Sequence, residues 1–181
     1  MNRDTTDDND LIAAARGGDT AAFEALVRRF SPSVYTHALR FFGDDAAAQD
    51  ASQEVFIKVY RTLDGFDGRA RFSTWLYRVT RNTCLDMVRA SRHRPVSVDP
   101  VTLDIVQPGD LADQVVLAAS AEAAMGALAP EDRDALCAVS LFGLSYEEAA
   151  AVLAVPPGTV KSRVFRARRL MARSLGLTGG D

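Results

Sequence analysis

The sequence predicts an all-α protein with two small helical domains joined by a flexible acidic linker, the second domain carrying a helix-turn-helix. Apolar residues recur with the spacing of amphipathic helices, and no segment shows the sustained two-residue alternation of strands. A chain of 181 residues allows one medium domain or two small ones. Between two helical blocks lies a stretch rich in Pro, Gly and Asp without any basic residue, which predicts a linker.

In the first block, helical periodicity begins near residue 10, after a polar segment 1–9 that we expect to be disordered. The apolar repeat from Phe23 to Phe30 continues this pattern. Ser31 followed by Pro32 has the form of an N-cap with Pro at the first helical position, which predicts a new helix from there to about Phe42.

The remaining helices of the first block are separated by glycines. Gly43 and the two Asp after it end one helix and cap the next, expected over 46–63. Gly65 and Gly68 mark a loop, and a helix follows over 74–92 until Pro95 stops it. The first domain is therefore predicted to span 10–94.

The linker is predicted over 95–119 and the second domain over 120–176. Pro130 restarts a helix, and Ser145 with Glu148 forms the sequence pattern of a capping box. A tight turn follows over 155–158, and Thr159 is expected to cap the last helix. The helices expected from these signals cover 111–128, 130–142, 145–154 and 160–174.

The composition excludes several classes of protein. No apolar run approaches the length of a membrane span, and the acidic N-terminus has no apolar core like that of a signal peptide, so we expect a cytoplasmic protein without membrane insertion. Two Cys and two His lie far apart in the sequence, which indicates neither a metal site nor a disulfide framework. No cofactor is expected either.

Charge is unevenly distributed along the chain. The formal net charge is −3, yet residues 69–94 hold seven Arg against one acid, and residues 160–175 hold six basic residues and no acid. Two basic segments on an acidic background indicate two contacts with a polyanion. The alternative is a pair of solvated helix faces.

The last helix has the pattern of a recognition helix. Val160, Val164, Ala167 and Met171 share the side that must pack on the preceding helices, and the opposite side is rich in Arg. Together with the preceding short helix and turn, this pattern is typical of a helix-turn-helix in a major groove. The alternative is a basic surface helix of an α-bundle. The candidate DNA-binding residues are Lys161, Ser162, Arg163, Phe165, Arg166 and Arg169.

A second basic surface is predicted from the loop 65–72 and the helix after it. Aromatic residues alternate there with Arg, a combination suited to single-stranded nucleic acid because bases stack on rings while cations follow the backbone. Phe72 and Trp75 could equally be core residues. The candidates are Phe66, Arg69, Arg71, Phe72, Trp75, Arg78, Arg81 and Asn82.

A third surface lies on the helix 46–63, where Asp50, Gln53, Glu54 and Arg61 share one face with Ile57. An acidic face does not suit DNA. An exposed Ile among acids indicates a protein interface, although an ordinary solvated face has the same composition.

These segments resemble a known family. The run from Asp50 to Tyr60, the run from Phe72 to Asn82 and the D-x-x-R of Asp86–Arg89 are similar to region 2 of an extracytoplasmic-function (ECF, group 4) sigma factor of bacterial RNA polymerase. Residues 143–150 and 158–168 are similar to region 4 of the same family. The resemblance covers about residues 10–92 and 120–175.

The resemblance implies a role for each surface. The first domain would bind the polymerase core at the β′ clamp coiled coil, and it would melt the −10 element and capture an extruded base with the loop 65–73. The second domain would read the −35 element, and the linker would cross the polymerase near its active-site cleft. The polymerase-binding residues would be Asp50, Gln53, Glu54, Ile57, Lys58 and Arg61.

The implied partners are the polymerase core, including the β flap, promoter DNA and an anti-sigma factor. No nucleophile–base pair or carboxylate dyad is found, so we expect no enzymatic activity. Two alternatives remain open: a stand-alone helix-turn-helix regulator that acts without polymerase, and a helical adaptor without a DNA role.

Overall fold

The computed structural model describes residues 3–92 and 123–176, and among these residues all regular structure is helical. The helices are α1 (Arg3–Arg16), α2 (Thr20–Phe42), α3 (Asp45–Thr62), a 3₁₀ turn (Leu63–Gly65), α4 (Phe72–Arg92), α5 (Pro130–Ser140), α6 (Tyr146–Leu153) and α7 (Pro157–Ser174). The linker predicted over 95–119 lies outside the described residues. The all-α prediction with two helical domains is confirmed.

The N-terminal segment is more ordered than the sequence indicated. Because α1 begins at Arg3, the expectation of disorder over 1–9 is wrong for residues 3–9. Gly18 then turns the chain with φ +90°, and Asp19 caps α2 by accepting hydrogen bonds from the backbone N–H groups of Ala21 and Ala22.

Helix α2 runs through Pro32 without interruption, so the helix start predicted at Ser31–Pro32 is wrong. Leu26 on one side of the proline and Val34 and Ala38 on the other are all buried and form one apolar stripe. Burial of that stripe outweighs the one backbone hydrogen bond that a proline cannot donate. Gly43 ends the helix at φ +69°, where its N–H donates to the carbonyl of Leu39.

Helices α3 and α4 complete the first domain. Asp44 caps α3, which buries Ala48, Ala51, Val55 and Val59 and leaves the opposite face in solvent, as its apolar spacing predicted. Helix α4 begins at Phe72, two residues earlier than expected, and buries Leu76 and Tyr77 completely.

The second domain is built around a short helix and a long one. The capping box of α6 is confirmed: Ser145 Oγ accepts from the N–H of Glu148, and the Glu148 carboxylate accepts from the N–H of Ser145. Helix α7 begins at Pro157 with Pro156 as its N-cap, so the predicted cap at Thr159 is wrong. Proline suits the first helical position because it has no N–H to leave unpaired and its φ is already helical.

The two domains pack against each other. Phe142, just after α5, is buried, and its ring centroid lies 5.1 Å from that of Tyr77 on α4 and 6.1 Å from that of His37 on α2. Buried residues of both domains therefore form one continuous apolar cluster. Among the described residues, no helix combines the length and hydropathy needed to span a membrane.

Candidate nucleic-acid and partner-binding surfaces

Helix α7 separates an apolar face from a basic one. Val160, Val164 and Ala167 are buried against the rest of the domain. Lys161, Ser162 and Arg169 are exposed on the other side. Phe165 stands among them with 64% of its surface exposed, which is unusual for an aromatic side chain and leaves its ring open to a partner.

Two of the predicted α7 residues are less free than the sequence indicated. Arg163 is half-buried. Arg166 forms a bidentate pair with the buried Asp132 of α5, with Nη2–Oδ1 at 2.7 Å and Nε–Oδ2 at 3.1 Å. Arg166 therefore fastens α7 to α5, and a base contact by this guanidinium would require exchange of that pair.

A groove beside α7 adds a residue that the sequence analysis missed. Its volume is 370 Å³, and Tyr146 of α6 lines it together with Lys161, Ser162 and Phe165. Tyr146 lies inside the capping-box pattern, which is defined by Ser145 and Glu148 alone. Its position as the first residue of α6, directly after the N-cap, was the available sequence signal.

The predicted stacking platform on the first domain is largely buried. Phe66 and Phe72 lie in the core, with centroids 5.7 Å apart, so the expectation that their rings are presented to bases is not met. Trp75, half-buried, packs 5.5 Å from Phe66 and 5.6 Å from Phe72. Through these ring contacts, Phe66 packs the loop 65–71 against the start of α4.

A pocket of 220 Å³ opens beside this loop. Arg69 and Arg71 contribute to its wall, as expected of that loop, and Ser73 contributes a buried hydroxyl that has no hydrogen-bond partner among the described residues. Asp8 and Asn9 of α1 form another wall. The sequence analysis missed Asp8 and Asn9 because the N-terminal segment gave no structural signal.

The polar residues predicted to follow the strand on α4 and the loop before it fall into two groups. Arg78 and Asn82 are exposed. Arg81 instead donates to Asp134 of α5, with Nε–Oδ2 at 3.0 Å, and Arg71 before the helix donates to the carbonyl of Gly143 at 2.9 Å. Part of the predicted single-strand surface is therefore covered by the second domain.

The exposed face of α3 forms a ridge between two grooves. A groove of 480 Å³ on one side is lined by Asp50, Glu54 and Lys58, and one of 640 Å³ on the other by Tyr60 and Arg61. Gln53 and Ile57 belong to both, so the six predicted polymerase-binding residues lie together on this ridge. We call it the α3 ridge.

Two aromatic residues extend the α3 ridge beyond the prediction. Tyr60 is 63% exposed and meets Phe23 of α2 edge to face, with centroids 5.1 Å apart. The sequence feature that could have indicated Tyr60 was its position three residues after Ile57 on the same helix face. An apolar centre flanked by carboxylates suits a protein partner better than a phosphate backbone.

Burial accounts for the shifted pKa values in the core. It raises the pKa of the Cys84 thiol to about 12 and that of Cys137 to about 11, so both buried thiols are neutral. Burial also lowers the pKa of His37 to about 4, with smaller contributions from Arg81 and Arg40. Neither ring nitrogen of His37 has a hydrogen-bond partner among the described residues.

Comparison with known proteins finds two family matches along the chain. Sigma-70 region 2 matches residues 26–94, and Sigma-70, region 4 matches residues 119–171. The RNA polymerase sigma-H factor of Pseudomonas aeruginosa is 38% identical, with 93% of each chain covered. The ECF RNA polymerase sigma-E factor of Escherichia coli is 38% identical over 89% of this chain and 90% of that protein.

Two solved structures have the same fold. CnrH in complex with the cytosolic domain of CnrY superposes with a TM-score of 0.66 at 26% identity, covering 96% of this chain and 99% of that one. The sigma factor RpoE of Bartonella quintana in complex with the anti-sigma factor NepR gives a TM-score of 0.69 at 25% identity, covering 87% and 98%.

Sigma-70 region 2 followed by Sigma-70 region 4 is the domain order of sigma factors of bacterial RNA polymerase, which recognise promoters. This chain belongs to their ECF family.

Proposed function

We propose that the protein is a cytoplasmic ECF sigma factor of group 4 that docks on core polymerase through the α3 ridge, grips the −10 strand along α4 and reads the −35 element with α7. The α3 ridge carries this proposal. It combines the exposed apolar Ile57 and Tyr60 with as many carboxylates as cations, while both other surfaces are rich in Arg, so the molecule presents one face for a protein and two for DNA. The protein would contribute binding energy and specificity, and the polymerase the chemistry.

At the −35 element, Lys161, Ser162 and Phe165 would reach base edges from the first turns of α7. Residues at the start of a recognition helix lie deepest in the groove. Arg169, further along, would contact phosphates, and such contacts fix the register without reading sequence. Arg163 and Arg166 would support this surface from its edge.

At the −10 element, the pocket beside Ser73 would accept one extruded base. Extrusion costs a few kcal/mol, which hydrogen bonds to the base edge and contacts with the wall must offset. Ser73, Asp8 and Asn9 offer donors and acceptors for that purpose. Arg69, Trp75, Arg78 and Asn82 would follow the strand, with Arg71 and Arg81 joining them once the second domain moves away. Phe66 and Phe72 would act by shaping the loop.

At the polymerase, Ile57 and Tyr60 would pack on the β′ clamp coiled coil while Asp50 and Glu54 pair with its basic residues. Complementary charge speeds such an association and selects the partner. The second domain would contact the β flap and so place α7 at the −35 element. We further propose control by an anti-sigma factor, which is supported by the similar structure of the sigma factor RpoE in complex with the anti-sigma factor NepR.

The test is the double substitution Gln53→Ala with Glu54→Arg. It should abolish co-purification with core polymerase and run-off transcription, because the ridge loses a central contact and reverses one charge. Folding should be retained, since exposed substitutions change stability by only about 0.5 kcal/mol. Glu131→Arg, an exposed charge reversal on α5, is the matched control and should transcribe normally. If the double variant is folded, binds core and transcribes, the ridge is not the docking surface and a stand-alone regulator is favoured.

A further inference from the structure

Lysine is rare in this chain, and its two lysines lie on two different surfaces. The 21 basic residues are 19 Arg and two Lys. Lys58 belongs to the α3 ridge, and Lys161 lines the groove beside α7. Lysine differs from Arg because acetylation of its amine removes the charge, and Lys is the usual target of this modification. These are therefore the two side chains at which an acetyl donor would change the charge of a functional surface.

Lys161 is an exposed cation in a basic environment. It forms no ion pair with any residue that the structure describes, and helix α7 contains no acid over 157–174. Its neighbours on the helix are less available, because Arg163 is half-buried and Arg166 is held by Asp132 at 2.7 Å. Within the first three turns of α7, Lys161 is therefore the cation that is both exposed and unpaired in the described structure.

The groove beside α7 offers an anion a place next to this amine. Arg168 lies two turns further along the helix on the same side, and Tyr146 and Phe165 provide aromatic walls. The residues that line the groove include two cations and no carboxylate. A cleft lined by one sign of charge raises the local concentration of oppositely charged molecules. A small anionic acetyl donor is thus attracted to the position where the Lys161 side chain is open.

Lys58 has the opposite environment on the same molecule. Its Nζ lies 3.9 Å from a carboxylate oxygen of Glu54 and 3.9 Å from one of Asp86, and only 36% of its side chain is exposed. Asp50 lines the same groove as these residues. The three carboxylates repel an anionic donor, and two of them occupy the ammonium group. We therefore expect the two lysines to react at different rates.

We propose that Lys161 is an acetylation site at which an anionic activated acetyl donor weakens duplex binding by α7. This inference rests on the proposed function of α7. The donor is an acyl phosphate or an acyl thioester, which share the same chemistry. The neutral Nζ attacks the acetyl carbonyl carbon and forms an N–C bond. The bond from that carbon to phosphate oxygen or thioester sulfur breaks, the leaving group takes the electron pair, and a proton passes to solvent.

The first experiment follows acetylation of the full chain by peptide mass spectrometry, with acetyl phosphate and separately with acetyl-coenzyme A in mildly alkaline buffer. Lys161 should react at least about tenfold faster than Lys58, because a cleft of one charge sign concentrates an opposite ion by about that factor or more. The donor that gives the larger ratio identifies the source. In concentrated urea the ratio should fall to about one. Equal rates with both donors in the folded protein, or a ratio that persists in urea, would overturn the site.

Two matched variants test the groove itself. Arg168→Gln removes its second cation and should slow acetylation of Lys161 severalfold. Arg173→Gln removes an exposed cation of the same helix outside the groove and should leave the rate near that of the wild type. Both substitutions lie on an exposed face, so the fold is retained. Equal slowing by both would mean that the charge of the whole helix attracts the donor, which would overturn the groove as the site.

The second experiment measures fluorescence anisotropy of a labelled duplex that the untreated wild-type chain has selected from a random pool. Acetylation should weaken wild-type binding about tenfold, the equivalent of one charge-assisted contact. Lys58→Arg, whose remaining lysine is Lys161, should respond in the same way. Lys161→Arg keeps a cation that these donors do not acetylate, so its affinity, whatever its starting value, should not change on treatment. Acetylation of Lys161 without loss of affinity would overturn its effect on DNA binding.

The outcomes separate this inference from the proposed function. If the untreated wild type selects no duplex, or if Lys161→Gln and Arg169→Ala both bind like the wild type, the proposed role of α7 fails. If those two variants bind weakly while Lys161 stays unmodified, α7 binds DNA as proposed and only the acetylation site is wrong.

Discussion

His37 makes the stability of this protein depend on pH between 7 and 4. Its ring is buried among Phe41, Tyr77 and Phe142, and Arg81 and Arg40 are the charges that act on it most strongly. In the unfolded chain its pKa returns to about 6.5, against about 4 in the folded protein. Between these values the unfolded state binds a proton that the folded state rejects, so stability falls as the pH falls.

The magnitude follows from the two pKa values. Lowering the pH from 7 to 5 should reduce the free energy of unfolding by about 2 kcal/mol, and complete titration of His37 should reduce it by about 3 kcal/mol. The half-buried Asp134 opposes this trend, because desolvation raises its pKa and protonation of that carboxyl favours the folded state. The thiols and Tyr77, whose pKa values burial raises, remain neutral throughout this range.

The assay compares urea unfolding of the wild type and His37→Phe at pH 7 and pH 5, followed by the fluorescence of Trp75, the single Trp of the chain. At pH 7 the substitution should be neutral or stabilising, since it removes two buried nitrogens without partners. Between pH 7 and pH 5, the free energy of unfolding of the wild type should fall by about 2 kcal/mol more than that of His37→Phe. His93→Gln separates any contribution from the other His. Equal losses in the wild type and His37→Phe would refute the assignment to His37.

Three further outcomes are expected. Ser145→Ala should lower the stability of the second domain by about 1 kcal/mol, because α6 loses its N-cap. Ser140→Ala, at the exposed end of α5, should leave stability unchanged. Thermal melts followed by circular dichroism that shift equally for both variants would contradict the capping role. Arg169→Ala should reduce the slope of log affinity against log salt for duplex DNA by about one, and an unchanged slope would remove it from the phosphate contacts. Leu26→Ala should destabilise the first domain by about 2–5 kcal/mol in urea unfolding, and a loss below this range would mean that its site collapses around the smaller side chain.

Face assignments were predictable from the sequence because helical spacing determines them. The buried row of α7 and the exposed row of α3 both follow from residues three and four apart. The capping box of α6 was predictable for a similar reason, since both of its hydrogen bonds lie within four residues of the chain.

The continuation of a helix through a proline and the burial of side chains by distant residues could not be predicted from local spacing. Pro32 has the local signal of a helix start, but the apolar stripe that carries α2 through it involves residues on both sides. Phe66 and Phe72 have the composition of a stacking platform, and only their packing on Trp75 and Phe30 shows that they are core. The pairing of Arg166 with Asp132 joins residues 34 apart in the chain.

Helix α1 has a consequence for how this protein can be recombined with others. Its Arg16 donates to the carbonyls of Asp64 and Phe66, and its Asp8 pairs with Arg29, so the helix is fastened beside the loop while Asp8 and Asn9 face the pocket. The match to region 2 begins only at residue 26. A chimera cut at that boundary would carry the loop of one parent and the pocket wall of the other. Exchange of promoter preference between relatives should therefore succeed when residues 3–92 are transferred as one module.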